Sequence, residues 1–293
     1  MKLDGNYFTT KWVSLKRHRA FQKQPILTLF RVISWFMYCQ LSSSSVDIKI
    51  PKWNCRFLLP PKLKSAGSTG IFIFREYYEP ELSVLDTYLT EGKVFIDAGA
   101  NTGIYTIIAG KLVGDSGTVI SFEPGSESFQ TLARNVEINQ LTNVKLFQSA
   151  LSEQEGYAKL YHIDNAPNSY SLGGDLNSEA NFEEVHTTTI DNVLSREQIE
   201  QVDLIKMDVE GAEEYVLRGA ISLFSRLKPI VIFEYNPHIT SRFKSSPDGA
   251  WNFLKELGYE FFQVQPTGEG DLLKLDAPKV GNIVAMPQAN PQS

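Results

Sequence analysis

At 293 residues the chain is long enough for one large α/β domain with a terminal extension, or for two small domains. Its 42% hydrophobic and 21% charged fractions are those of an ordinary globular protein, and two cysteines, Cys39 and Cys55, fit neither a metal-ligand spacing nor a disulfide framework, which suits a reducing, cytoplasmic compartment. The formal charge of −6 is uneven: residues 1–45 hold seven Lys or Arg against Asp4 alone, a local +6 that leaves −12 for the rest, and so acidic a body argues against nucleic acid as a partner.

Residues 1–45 read as a basic, partly helical extension. Its apolar run "PILTLFRVISWFMYC" is too short to span a hydrocarbon layer of ~30 Å and carries Arg31 in its middle. It begins too far from Met1 for an ordinary signal peptide, and no A-x-A-like cleavage pattern follows. Two readings stay open. A basic, aromatic-rich helix within residues 11–39 can lie on a membrane surface or a partner, or it can pack over the main domain. "SSSSVDIKIPKW" (42–53) predicts a loop leading into irregular or strand structure, and the domain boundary is placed there.

Residues 46–90 then form a lead-in of strands and a helix, residues 91–288 the main domain, and 289–293 a tail. "GIFIF" predicts a short strand, and Pro80 suits the first turn of a helix through "ELSVLDTYL". "KVFIDAG" is a compact apolar run closed by glycine, a buried strand. "TGIYTIIAGKLVG" predicts a helix with Ile104, Ile107, Ile108 and Leu112 on one face and Gly114 as its stop. The alternation repeats: strand "GTVISFEP", helix "SESFQTLARNVEINQL" with Phe129, Leu132, Ala133 and Val136 inward, strand "NVKLFQSAL". Strands "VDLIKMDVEG" and "KPIVIFEYNP" flank the helix "AEEYVLRGAISLF". The helix "GAWNFLKELG" and strands "YEFFQV" and "NIVAMP" close the sheet. This rhythm predicts an α/β, Rossmann-like fold with a mainly parallel sheet covered on both faces. One segment, 162–185, is polar and rich in Gly and Asn. It is too long for an ordinary connection, so it either forms part of a substrate wall or is unstructured.

In an open parallel sheet, ligands bind beyond the carboxyl ends of the strands. The first such end carries Asp97, Gly99, Asn101 and Gly103. A dinucleotide turn needs glycines at i, i+2 and i+5, whereas this chain offers Gly99, Asn101 and Ile104. No diphosphate is called for, and Asp97 suits an ammonium. The next strand ends in Glu123, 24 residues after Gly99, where an acid can accept hydrogen bonds from both ribose hydroxyls. Pro124 and "QSALS" would wall an adenine. An ammonium, a ribose and an adenine without phosphates point to S-adenosylmethionine.

From about Tyr78 to Glu234 the chain resembles the FkbM-type methyltransferases, a branch of the class I S-adenosylmethionine-dependent enzymes. The resemblance rests on "YYEPEL", "VFIDAGANTGIYT", "GTVISFEPGSESFQTLARNVEINQL", "NVKLFQSALS", "TTTIDNVL" and "LIKMDVEGAEEYVLRGA", in that order. It implies a seven-stranded sheet with an antiparallel last strand, and methyl transfer, typically to a hydroxyl. It also implies that Asp97, Gly99, Asn101, Thr102 and Gly103 form the methionine-side turn and that Glu123 holds the ribose. Pro124, Ser149 and Ala150 would then lie beside adenine, with Tyr78 and Glu79 over the methionine end. Asp208 would face the methyl group. Neither the N-terminal segment nor the tail "PQANPQS" has a counterpart.

An alcohol is a weak nucleophile and benefits from a positioned base. Asp208, Glu210, Glu234 and His238 lie near strand ends, and Asp208 or His238 is the expected base. Glu210 can equally cap a helix start, while Glu213 and Glu214 read as a solvated helix face. Asp208 and Glu234 could in principle hold Mg²⁺, but two acids are too few for a metal site. Two other classes remain: an NAD-dependent oxidoreductase, and a methyltransferase-fold binding protein without turnover. The expected acceptor is a hydroxyl of a sugar, glycan or secondary metabolite.

Overall fold

A computed structural model describes residues 12–162, 170–172, 182–243, 246–265 and 270–288. Residues 1–11, the tail and most of segment 162–185 lie outside the described residues.

Two lead-in strands, β1 (Val46–Ile50) and β2 (Cys55–Leu59), pair as an antiparallel hairpin. The main sheet begins with β3 (Val94–Ala98), β4 (Thr118–Phe122) and β5 (Val144–Phe147). A second sheet uses β6 (Ala150–Leu151), β7 (Gly156–His162), β8 (Tyr170–Ser171) and β9 (Phe182–Thr188). The chain returns to the main sheet with β10 (Leu204–Met207), β11 (Ile230–Tyr235), β12 (Tyr259–Val264), β13 (Leu272–Leu275) and β14 (Gly281–Pro287). The main-sheet order is β13-β12-β14-β11-β10-β3-β4-β5. β5, β4, β3, β10 and β11 run parallel, and β14 enters antiparallel between β11 and β12.

The seven strands implied by the resemblance are all present, and a hairpin partner, β13, adds an eighth at the edge. β3 and β10 are buried along their whole length, as continuous apolar strands covered on both faces should be. One apolar layer joins the lead-in hairpin to the helices Ile104–Val113 and Ser126–Ile138. The opposite layer packs the helices Ile190–Arg196, Glu213–Arg218, Ile221–Arg226 and Gly249–Glu256.

Four local expectations need correcting. "GIFIF" is not a strand but the end of the helix Ala66–Phe74, whose start is capped by the Ser65 hydroxyl accepting from Ser68 N. A five-residue apolar run carries no period that separates strand from helix, and the cap decided it. "NVKLFQSAL" is split, with β5 in the main sheet and β6 in the second sheet. "AEEYVLRGAISLF" breaks into two short helices around Gly219, where a Cβ would sit 2.1 Å from the Ser152 carbonyl oxygen. Segment 162–185 is not wholly irregular, because β8 and the start of β9 pair with β7.

The helix Ser126–Ile138 also turns a more polar face inward than its apolar residues suggest. Leu132 and Val136 are buried, while Phe129 and Ala133 are only half-buried beside buried Ser128, Thr131 and Asn135. Asn135 Oδ1 accepts from Leu58 N at 2.7 Å, and its Nδ2 donates to the Thr102 carbonyl at 2.8 Å. One turn later, Asn139 accepts from Arg56 N and donates to Arg56 O. Two amides four residues apart thus rivet β2 to the helix and to the glycine turn. Asn135→Ala leaves a backbone donor and a backbone acceptor without their partner, so we expect it to lower unfolding free energy by about 2–3 kcal/mol in chemical denaturation.

Candidate active site

The chain runs from β3 outward to β4 and β5, then crosses back to lay β10 on the other side of β3. The strand order therefore reverses between β3 and β10, and the main cleft opens at their carboxyl ends, as the geometry of open α/β sheets requires. The two tips are in intimate contact. Asp208 N donates to the Ala98 carbonyl at 2.9 Å, and a Cβ on Gly99, whose φ is +80, would sit 2.0 Å from the Asp208 carbonyl oxygen. No side chain fits at Gly99, which explains the glycine more directly than any contact with a ligand.

The turn that follows is aimed by Asn101. Its φ of +50 is the left-handed conformation that asparagine tolerates better than most residues. This points Asn101 N at Glu123 Oε2, 2.8 Å away, while Glu123 Oε1 accepts from Gly125 N at 2.9 Å. Each carboxylate oxygen keeps further acceptor capacity for a hydroxyl in the cleft. Asp97 is buried behind the turn and accepts from the Thr106 hydroxyl at 2.6 Å.

The cleft brings together Tyr78, Glu79, Asp97, Gly99, Asn101, Thr102, Glu123, Pro124, Ser149, Ala150, Asp208 and Glu210, all anticipated from the sequence. Three anticipated residues do not line it. Gly103 sits one step back as the N-cap of the helix Ile104–Val113 at φ +90. His238 is exposed on the short helix Pro237–Thr240 beyond β11. It does not line the cleft, so Asp208 and Glu210 are the anticipated base candidates that the structure places there. Glu234 likewise stays outside the lining.

The largest omission is Lys206. It points from the centre of β10 into the cleft, is fully buried, and lies 3.6 Å from Asp208 Oδ2. Its Nζ donates to Asn282 Oδ1 at 3.1 Å and sits 5.4 Å from the Tyr105 ring centre. Tyr105 in turn donates to Glu79 Oε2 at 2.5 Å. Burial alone pushes the Lys206 ammonium down, but Asp208, Glu79, Glu81 and Asp97 together outweigh it and raise its pKa. The signal was present in "LIKM": a lysine inside a strand buried on both faces must have charged partners.

Glu213 also departs from expectation. It is buried rather than solvated, and its Oε1 accepts from Val209 N and Gly211 N. Glu210 (φ +53) and Gly211 (φ +98) are both left-handed, so the chain reverses there and leaves donors that Glu213 satisfies. The helix Glu213–Arg218 has no side-chain cap; Glu213 instead ties the reversed chain before it, and Glu210 lines the cleft. Glu214, expected beside it on a solvated face, pairs with Arg218 at 2.6 Å.

The family model described as the methyltransferase FkbM domain matches residues 97–261, more than half of the chain. The chain belongs to the FkbM methyltransferase family. Among curated relatives, Methyltransferase 1 of Beauveria bassiana is 28% identical over 142 residues, 42% of this chain and 57% of that protein. Methyltransferase sdnD of Sordaria araneosa is 27% identical over 177 residues, 50% of this chain and 68% of that protein. This chain thus spans a little over half of the first relative's length. Of solved structures, methyltransferase FkbM from Methylobacillus flagellatus has a TM-score of 0.42 at 15% identity, covering 74% of this chain and 53% of that one. The O-methyltransferase from Bacillus cereus, solved with S-adenosylhomocysteine, has a TM-score of 0.42 at 14% identity, covering 92% and 96%. The assignment rests on the family match.

The cofactor of this FkbM methyltransferase is S-adenosylmethionine, and the cleft fits it. Five carboxyl side chains, those of Glu79, Asp97, Glu123, Asp208 and Glu210, face one ammonium. That balance welcomes a cation and opposes a diphosphate. Glu123 offers acceptors to paired hydroxyls, while Phe122, Pro124, Ala150, Leu151, Leu160 and Leu172 give an apolar wall for a flat base. Leu160 and Leu172 come from the second sheet and its connection, so part of segment 162–185 does line the cleft.

Burial raises several of these acids. Glu123 is pushed up to about 7, against the pull of its two backbone donors. Asp97 rises to about 6, held back by Thr106 and Lys206. Glu210 reaches about 7, with Asp208 and Glu234 adding to the effect. Acids with raised folded-state pKa values favour the folded state below their unfolded values and lose that contribution as pH rises through the folded ones. The cofactor-free protein should therefore melt at lower temperature at about pH 8 than at about pH 5. S-adenosylmethionine affinity should move the other way, tightening at least about tenfold over that window as carboxylates form. Calorimetric titration checks this, and Glu123→Gln should flatten the pH dependence.

Proposed function

We propose that this methyltransferase is an O-methyltransferase, acting on a hydroxyl of a sugar, glycan or secondary metabolite presented beside Asp208. The observation that carries the reading is the Lys206–Asp208 pair. Asp208 stands at the tip of β10 with 42% of its side chain exposed, while the ammonium 3.6 Å from it is buried. A carboxylate fixed from behind and open in front is suited to take a proton from a weakly acidic hydroxyl.

S-adenosylmethionine supplies a methyl group on a positively charged sulfur. An acceptor oxygen forms the new C–O bond as the C–S bond breaks with its electron pair on sulfur, and the hydroxyl proton passes to an Asp208 oxygen. Asp97, behind the glycine turn, would face the methionine end, and Glu123 would accept from the ribose hydroxyls. Tyr78 and Glu79 close the methionine end, with Glu79 held by Tyr105. Much of the acceleration then comes from alignment, since nucleophile, carbon and sulfur must lie in line.

An NAD-dependent dehydrogenase finds no support in a cleft so rich in carboxylates. A binding protein without turnover is separated by experiment. Asp208→Asn keeps the shape of the side chain, so we expect S-adenosylmethionine to bind within a few-fold of wild type. Production of S-adenosylhomocysteine with a hydroxyl acceptor should fall by roughly 10²–10⁴. Unchanged turnover in Asp208→Asn removes the base assignment, and His238→Ala should leave turnover unaffected.

A further inference from the structure

The helix Pro25–Leu41 is apolar on two opposite faces. One face packs inward: Trp35 is buried, stacks on Phe72 at 4.7 Å and donates to Thr69 Oγ1 at 2.8 Å, and Arg31 donates to the Ile73 carbonyl. The other face carries Ile26, Phe30, Ile33, Met37 and Leu41, with Ile26 and Leu41 exposed by 84% and 79%. Those positions follow the spacing i, i+4, i+7, i+11 and i+15, one continuous stripe along a helix of roughly 25 Å. Soluble surfaces carry isolated apolar side chains routinely, but a contiguous stripe of this length marks an interaction surface.

The charge around the stripe identifies what covers it. Residues 5–46 contain no Asp or Glu at all. Exposed Lys16, Arg17 and Lys23 precede the stripe, and Lys16 lies 4.9 Å over the half-exposed ring of Trp12. A basic, acid-free helix with an apolar face and a tryptophan beside a lysine matches an anionic lipid surface. A pair of copies with these helices side by side in parallel would oppose like charges, whereas an anionic lipid surface complements them. No helix among the described residues is long and apolar enough to cross a membrane, and this one is pinned to the domain by Trp35 and Arg31.

We propose that the helix Pro25–Leu41, with the basic residues before it, docks the protein onto the surface of an anionic bilayer, lying in the interface without spanning it. The helix also packs on Ala66–Phe74, whose Gly67 borders the cofactor cleft. The docked element and the active site therefore share one rigid support.

Flotation of the full chain with vesicles tests the proposal, comparing phosphatidylcholine alone with phosphatidylcholine containing phosphatidylserine. Wild type should float with the anionic vesicles and bind the zwitterionic ones far more weakly. The double variant Phe30→Ser/Ile33→Ser should weaken anionic-vesicle binding by roughly 30-fold. The triple variant Lys16→Gln/Arg17→Gln/Lys23→Gln should weaken it by roughly 100-fold, about fivefold per charge. Both variants change exposed side chains outside the cleft, so their melting temperatures and thermal shift with S-adenosylhomocysteine should match wild type. Absence of wild-type binding to anionic vesicles overturns the proposal, as does equal binding by Phe30→Ser/Ile33→Ser. A wild-type dimer in light scattering that Phe30→Ser/Ile33→Ser converts to monomer also overturns it, assigning the stripe to a second copy.

Discussion

A buried ammonium organises this protein. Lys206 is fully buried, and Asp208, Glu79, Glu81 and Asp97 together outweigh the cost of burial and raise its pKa. Burial raises Glu79, Glu81 and Asp97 in turn, and the Lys206 ammonium pulls each of them back down. The dependence is mutual, and the parts come from separate regions of the chain: the lead-in before the main sheet, the tip of β3, the centre of β10, and Asn282 on β14. Removing Lys206 leaves buried carboxyl groups without their cation, a far larger penalty than losing an exposed ion pair. The cluster therefore constrains the lead-in segment to close over the sheet as much as it shapes the cleft.

A second constraint is geometric. The tips of β3 and β10 approach so closely that only glycine fits at position 99, and the turn after it must reverse sharply. Asn101 takes the left-handed conformation and directs its N–H at Glu123, which joins the ends of β3 and β4. The carbonyl of Thr102 is held from the other side by Asn135. Strand tip, Glu123 and lead-in hairpin are thus coupled through two short hydrogen-bonded links. An acid that lines the cleft is here also part of what holds the fold.

The two apolar faces of Pro25–Leu41 show why composition alone leaves such a segment ambiguous. Packing over the domain and contact with a membrane are not alternatives for a helix apolar on both sides. The inward face is satisfied by Trp35, and the outward face is left open. An acidic body behind a basic, apolar helix is also electrostatically polarised, which would orient the molecule at a negatively charged surface.

Much of the fold and the glycine turn was legible in the sequence, because the information is local. Buried strands appear as apolar runs, helices by their period, and the glycine turn by the residues that tolerate left-handed backbone. Asp97 and Glu123 stood out because acids ending buried strands need a reason. What stayed hidden depends on residues far apart in the chain. "GIFIF" became a helix through its cap and packing. Glu213 turned inward because of a chain reversal, and His238 falls on the exposed short helix after β11. Lys206 sat in plain view in "LIKM", but its four acidic partners are brought together only by the crossover that lays β10 beside β3. The sequence alone determined the order of most elements and the conformation of the glycine turn, since both follow from short-range sterics and periodicity. Only the tertiary structure decided which charges face one another, since Coulomb energy and desolvation depend on distances through space that no spacing along the chain reveals.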